Sequence, residues 1–247
     1  MWRYVSDAGP VEHNSLVERY YPGDATEKSE SNQRKPLNDA IEFLVETEQF
    51  TNNGDGYELT EVAREEPTPQ TALLWGIRSR DGENRAYNDV LDVLTEDNRV
   101  FFDKGDPLVD LLSDRRSGVS WNTTRLNYWR RMMEAVGVVR DLGTDSDEDY
   151  TSMLTIDQNL LYSLLQSVTS PSEPTQFQGT LLALHDRYLP VFAGSNRNEV
   201  ASYVERALKQ AQRTNLIEIG QESDFGPSVK LNGAGVNKIT LRVKRIS

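Results

Sequence analysis

The sequence predicts an α+β fold, predominantly helical, organised as two to three tandem modules. Two observations carry that expectation. Apolar residues at helical spacing dominate the chain, and three times a longer helical stretch runs into a pair of short strand-like runs. A chain of 247 residues suits one large domain or two to three small ones. The expected modules are 1–66, 67–169 and 175–247.

In the first module, Val11 to Tyr21 reads as a short helix, and the polar run from Asp24 to Lys35 reads as a loop. Leu37, Ile41, Leu44 and Val45 then recur at helical spacing behind Pro36, a residue suited to a first turn, so a helix is expected from there to about Gln49. Phe50 to Leu59 holds Asn53-Gly54-Asp55-Gly56 at its centre, the chemistry of a tight hairpin turn. Pro67 and Pro69 separate this unit from the next.

The second module is expected to contain helices over Thr71–Arg80, Arg85–Leu94 and Pro107–Ser113. Ser120 is the expected N-cap of a longer helix, Trp121–Val136, which Gly137 closes. Strands follow at Val138–Leu142 and Tyr150–Thr155 around an acidic loop, and Asp157 caps a further helix to Val168. Ser170 to Pro174 reads as a linker. The third module opens with the stripe Phe177, Leu181, Leu184, Tyr188 and continues with a helix over Arg197–Arg213. It ends in strands at Leu216–Gly220, Ser228–Leu231 and Lys238–Val243, the residues Asn232–Asn237 reading as a loop.

This recurrence of short helices, a longer helix and a hairpin, at Pro36–Thr60, Pro107–Thr155 and Arg197–Val243, resembles the winged-helix family of helix-turn-helix proteins. The resemblance is one of pattern, clearest in the second and third copies. The first copy lacks an obvious second helix and reads as a degenerate winged-helix-like module. The resemblance implies that Trp121–Val136 is a recognition helix. With Leu126, Trp129, Met133 and Val136 inward, that helix leaves Asn122, Thr124, Arg125, Tyr128 and Arg131 outward, side chains that reach phosphates or base edges.

Charge points both ways. Lys+Arg 27 against Asp+Glu 39 gives −12, which taken as an average argues against a polyanion partner. The charge is segregated, however. Arg115–Arg140 carries +5 and Gly226–Ser247 carries +5, leaving −22 for the rest. Arginine also outnumbers lysine, twenty to seven. This acid-rich, lysine-poor composition resembles that of halophilic archaea, where at about 1 M salt a Debye length of about 3 Å screens long-range repulsion. The two islands fall on the recognition helix of the second module and the wing of the third. The plainer reading is that these arginines pair with acids across module interfaces.

No cofactor or metal site is expected. The chain has no cysteine, and its two histidines, His13 and His185, lie in different modules, so disulfide, thiolate and zinc chemistry are set aside. Asp145, Asp147 and Asp149 imitate the start of a calcium loop, but Tyr150 stands where glycine is needed and Ile156 where the bidentate glutamate is needed, so they read as an acidic wing tip, which would repel phosphate and disfavour that wing as a DNA contact. Gly233-Ala-Gly235 lacks a third glycine and a following helix, and no phosphate-cradling loop or nucleophile elbow occurs. Leu160, Leu161, Leu164, Leu165 and Val168 offer a short seam for a homodimer, with packing inside the chain favoured. No signal peptide or spanning apolar run is visible, so a cytoplasmic protein is expected.

The expectation is therefore a non-catalytic DNA-binding or DNA-associated accessory protein. Arg125, Tyr128 and Arg131, with Asn122 beside them, are its expected major-groove or phosphate contacts on double-stranded DNA. Arg115 and Arg116 would act as phosphate anchors, and Lys238, Arg242, Lys244 and Arg245 as a tail tracking the backbone. The alternative is a scaffold or adaptor whose modules bind protein subunits of a DNA-processing or phage-defence assembly.

Overall fold

The computed structural model describes residues 1–20, 30–79, 85–103, 106–115, 120–143, 151–194, 197, 199–231 and 233–242, without the side chains of 30–34, 106 and 151. The chain is a mixed α+β protein, with helices interleaved among small antiparallel sheets. It divides into two compact units, Met1–Gly76 and Ile77–Ser247. Among the described residues no helix is long and apolar enough to cross a membrane.

Unit 1 contains α1 (Trp2–Ala8), α2 (His13–Tyr20), α3 (Glu30–Glu46), β1 (Phe50–Asn52), β2 (Tyr57–Leu59) and α4 (Glu61–Glu65), and α5 (Pro69–Arg78) runs across its end. The turn read from Asn53 to Gly56 forms as expected and aligns Phe50 with Leu59. Val11, expected to open a helix, instead lies between α1 and α2 (His13–Tyr20) and bridges to β2. It exchanges backbone hydrogen bonds of 2.9 Å in both directions with Tyr57. Gly56 makes this approach possible. Its φ is +140°, and a Cβ there would stand 2.7 Å from the Val11 carbonyl carbon. Val5, Leu16, Ile41, Phe50, Leu59, Ala63 and Ala72 close the core around it.

Two expectations for this unit are corrected. Helix α1 is not expected from the sequence, since its seven residues make only about two turns, too few to show a period. Trp2 and Tyr4 nevertheless pack against the core. Helix α3 starts at Glu30, well inside the stretch read as loop, and Pro36 lies within it. No glycine interrupts residues 30–36, and a solvated helix needs no apolar residues to complete its backbone ladder. Pro36 removes one donor from that ladder without ending it.

Unit 2 runs through α6 (Ala86–Glu96), β3 (Phe101–Asp103), α7 (Asp106–Arg115), α8 (Thr123–Val136), β4 (Val139–Asp141) and β5 (Thr151–Leu154). It then repeats the order with α9 (Gln158–Val168), β6 (Pro174–Gln176), α10 (Phe177–Arg187), α11 (Ser202–Arg213), β7 (Ile217–Gly220), β8 (Val229–Leu231), β9 (Ala234–Val236) and β10 (Lys238–Leu241). In each half the strand that follows the first helix pairs with the last strand, giving the sheet orders β3-β5-β4 and β6-β10-β7. β8 and β9 form a separate ribbon inserted between the last two strands of the second sheet. Unit 1, with Val11 as its first rung, has the same succession of helix, strand, two helices and two strands. One topology thus recurs three times.

Three boundaries differ from expectation. The linker ends in a strand: Pro174 opens β6 opposite Thr240, a first-strand position that tolerates its missing N–H. Residues 234–236, read as loop, form β9, because Gly235 pairs with Lys230 while Val236 is buried. The helix expected from Arg197 begins only at Ser202. Val200 and Glu199 are drawn into bridges with Phe192 and Lys230, and Arg197 has a φ of +47°. The leucine seam is internal, since Leu160, Leu161, Leu164 and Leu165 are all buried.

Candidate nucleic-acid interface

Helix α8 owes its start to Asn122, whose side-chain oxygen accepts the Arg125 N–H at 2.9 Å. Asn122 rather than Ser120 is the N-cap. The N–H groups at the helix start have no partner inside the helix, and an extended Asn one residue before it satisfies one of them. Gly137, at φ 96°, ends α8 as read from the sequence. The inward stripe is also as expected. Leu126, Trp129, Met133 and Val136 are buried, Trp129 meets Phe102 edge-on at 6.0 Å, and its indole N–H donates to the Tyr87 carbonyl at 2.9 Å.

The opposite face carries Thr124, Arg125, Tyr128 and Arg131, all exposed. Tyr128 is 68 % exposed. Arg125 is steadied by donating to the Ser120 carbonyl at 2.6 Å, and the Arg131 side chain has no hydrogen bond or ion pair among the described residues. Steps of three residues keep these three side chains along one side of the helix. Asn122 adjoins them, but its oxygen is committed to the cap.

The remaining cations divide. Arg130, counted within the basic island, turns inward, and its Nη1 lies 2.5 Å from Asp141 Oδ2. Arg115 donates to Asp97 at 2.7 Å, an acid that also holds Arg99. Lys238 pairs with Glu222 at 2.6 Å and lies over the Phe225 ring, and Arg242 pairs with Glu218 at 2.7 Å. These two therefore sit with acids of their own module, apart from the α8 row. Arg116, Lys244, Arg245 and the acidic loop with Asp145, Asp147 and Asp149 lie outside the described residues.

Two features escaped the sequence reading. Arg206 of α11 reaches the second module's sheet, 3.2 Å from Met153 Sδ and 5.9 Å from the Phe101 ring centroid. The helical stripe of α11 marks Arg206 as outward but not what it touches. A polar cluster also joins the two halves of unit 2. Arg78 pairs with Asp92 at 2.7 Å and donates to the His185 carbonyl, and the Tyr203 hydroxyl donates to the Pro190 carbonyl. Burial pushes the Tyr203 phenol above its ordinary range. His185 Nδ1 accepts the Val191 N–H at 3.2 Å, and burial, with Arg78 and Arg197 nearby, holds its pKa below the usual value. Both groups are committed to backbone partners, a structural use. Among the described residues no group of three or more His, Asp and Glu could hold a metal ion. No protein-family model, curated protein or solved structure matches this chain.

Proposed function

We propose that this is a non-catalytic, duplex-DNA-binding accessory protein made of winged-helix-like modules, with α8 as the helix that meets DNA. The observation that carries the reading is the open row Arg125, Tyr128, Arg131 on the third helix of a helix-strand-helix-helix-strand-strand module. Guanidiniums at the two ends of the row suit phosphate or guanine contacts, and the phenol between them suits a phosphate or a base edge. The thrice-repeated strand order supports the winged-helix likeness, and the α8 row is where it acquires chemistry.

The test is binding to a random-sequence duplex across a potassium chloride series. The Arg125→Ala and Arg131→Ala variants are expected to bind more weakly, with a shallower salt dependence. Absence of binding by the unmodified protein at low salt would overturn the reading.

A protein-binding scaffold or adaptor within a DNA-processing or phage-defence assembly is the second reading. It is favoured by the pairing of Lys238 and Arg242 with Glu222 and Glu218, which leaves that module's sheet with little surplus positive charge. Tyr128 and the arginines beside it also have the composition of protein-interface anchors. A complex recovered from native lysate that survives Arg125→Ala and Arg131→Ala but is lost on Tyr128→Ala would favour it.

A further inference from the structure

We infer that the outer face of the β3-β5-β4 sheet is a second nucleic-acid site, one that takes unpaired bases of a single strand. Strand alternation sets Phe101, Met153 and Arg140 in one cross-strand row through the pairs Phe101↔Met153 and Arg140↔Met153. The other face of the same sheet is core, with Phe102, Val139, Ser152 and Leu154 buried. Phe101 is thus the aromatic that β3 turns away from its core, and it is 55 % exposed even with Arg206 beside it.

Two cations belong to this face, Arg206 beside Phe101 and Met153 and Arg140 at the β4 end of the row. The Arg206 guanidinium approaches the Phe101 ring at 5.9 Å and Met153 Sδ at 3.2 Å. Arg140, beyond Met153 from Phe101, is exposed, and its side chain has no hydrogen bond or ion pair among the described residues. The exposed Phe101 ring offers a base a flat surface to stack on, while Arg206 beside the ring and Arg140 at the end of the row offer charges to the flanking phosphates. A blunt duplex keeps its bases stacked inside and has none to present. A purely apolar protein surface would leave Arg140 without a counter-charge. The acid on this face among the described residues, Asp103, lies one row further along, opposite Thr151.

The proposal shares its ligand class with the α8 reading but none of its residues, so the two can fail separately. Affinities are measured for a labelled single-stranded oligonucleotide and for a blunt duplex of the same sequence. Phe101→Ala and Arg140→Ala should each weaken the single strand about tenfold, the scale of one base–aromatic stack, and leave the duplex unchanged. Arg125→Ala and Arg131→Ala should do the reverse. Phe101→Trp, which keeps a stacking ring, should retain single-strand binding, so that a folding defect in the alanine variant cannot mimic the result. The proposal is overturned if the unmodified protein does not bind the single strand, or if Phe101→Ala and Arg140→Ala bind it as the unmodified protein does. It is also overturned if Phe101→Ala abolishes a concentration-dependent dimer while single-strand affinity is unchanged, which would assign the face to a second copy of the chain.

Discussion

The side-chain oxygen of Asn98 accepts the backbone N–H of Ser202 at 2.8 Å, so the residue just past α6 caps a helix 104 positions later. α11 has no cap of its own, because Ala201 stands at its N-cap position. Asn98 holds a φ of +52°, which asparagine tolerates better than most residues. Asn98→Gly keeps that backbone and loses the cap, at about 1 kcal/mol. Asn98→Ala loses the cap and strains the backbone, adding about 1 kcal/mol. Urea unfolding should rank alanine as the more damaging, and equal losses would mean that the backbone conformation contributes nothing.

His185 makes stability depend on pH. Its folded-state pKa lies below the usual value because burial, with Arg78 and Arg197 next in effect, disfavours the charged ring against the opposing pull of Asp186 and Asp92. The unfolded chain therefore binds the extra proton more readily. The contribution of His185 is present above about pH 6.5 and is lost as pH falls below it. Urea midpoints at pH 8 and pH 5.5 should differ less for His185→Gln than for the unmodified protein. An unchanged difference would remove His185 from the account.

The Arg130–Asp141 pair should respond asymmetrically to substitution. Arg130 is almost fully buried and Asp141 is partly open, their atoms 2.5 Å apart. Asp141→Asn sets a buried cation against a neutral amide, at about 3 kcal/mol, the low end of the usual range because Asp141 keeps some solvent. Arg130→Met, of similar length and free of charge, should cost less. Thermal unfolding of both variants checks the order, and a larger loss for Arg130→Met would reverse the argument.

Gly76 is required by contact rather than by conformation. A Cβ there would stand 2.1 Å from the Thr47 carbonyl oxygen, in the corner where the Gln49 amide also donates to Thr47 and Ala72. Gly76→Ala raises helix propensity in solvent, yet here it should loosen unit 1 by about 2 kcal/mol through overpacking. Hydrogen exchange at the amides of Thr60 and Ala72 should accelerate, and unchanged protection would show that α5 shifts freely.

On duplex DNA, Arg131→Ala should lower the slope of log affinity against log salt by about one, the signature of one lost phosphate contact. Lys238→Ala, whose ammonium already faces Glu222, should change that slope little. Titrations at several potassium chloride concentrations separate the two variants.

Local chemistry was legible where one residue governs the outcome. The Asn53–Gly56 turn, the Gly137 helix end and the inward stripe of α8 all follow from conformational freedom or from a 3.6-residue period, and the structure has them. The outward row Arg125, Tyr128, Arg131 was legible for the same reason. Charge counting was a weaker guide. It counted Arg130 within the basic island, whereas the fold spends it on Asp141, and it could not tell that Lys238 meets Glu222 just past β7 and Arg242 meets Glu218 within it.

By itself the sequence determined the α+β class, most of the helices and the Asn53–Gly56 turn, because propensity, period and turn chemistry act over a few residues. The tertiary structure alone decided that Val11 bridges to Tyr57, that α11 begins at Ser202, and that Arg206 flanks an exposed Phe101. Each of these rests on a partner tens of residues away, and only the closed chain brings such partners within bonding distance.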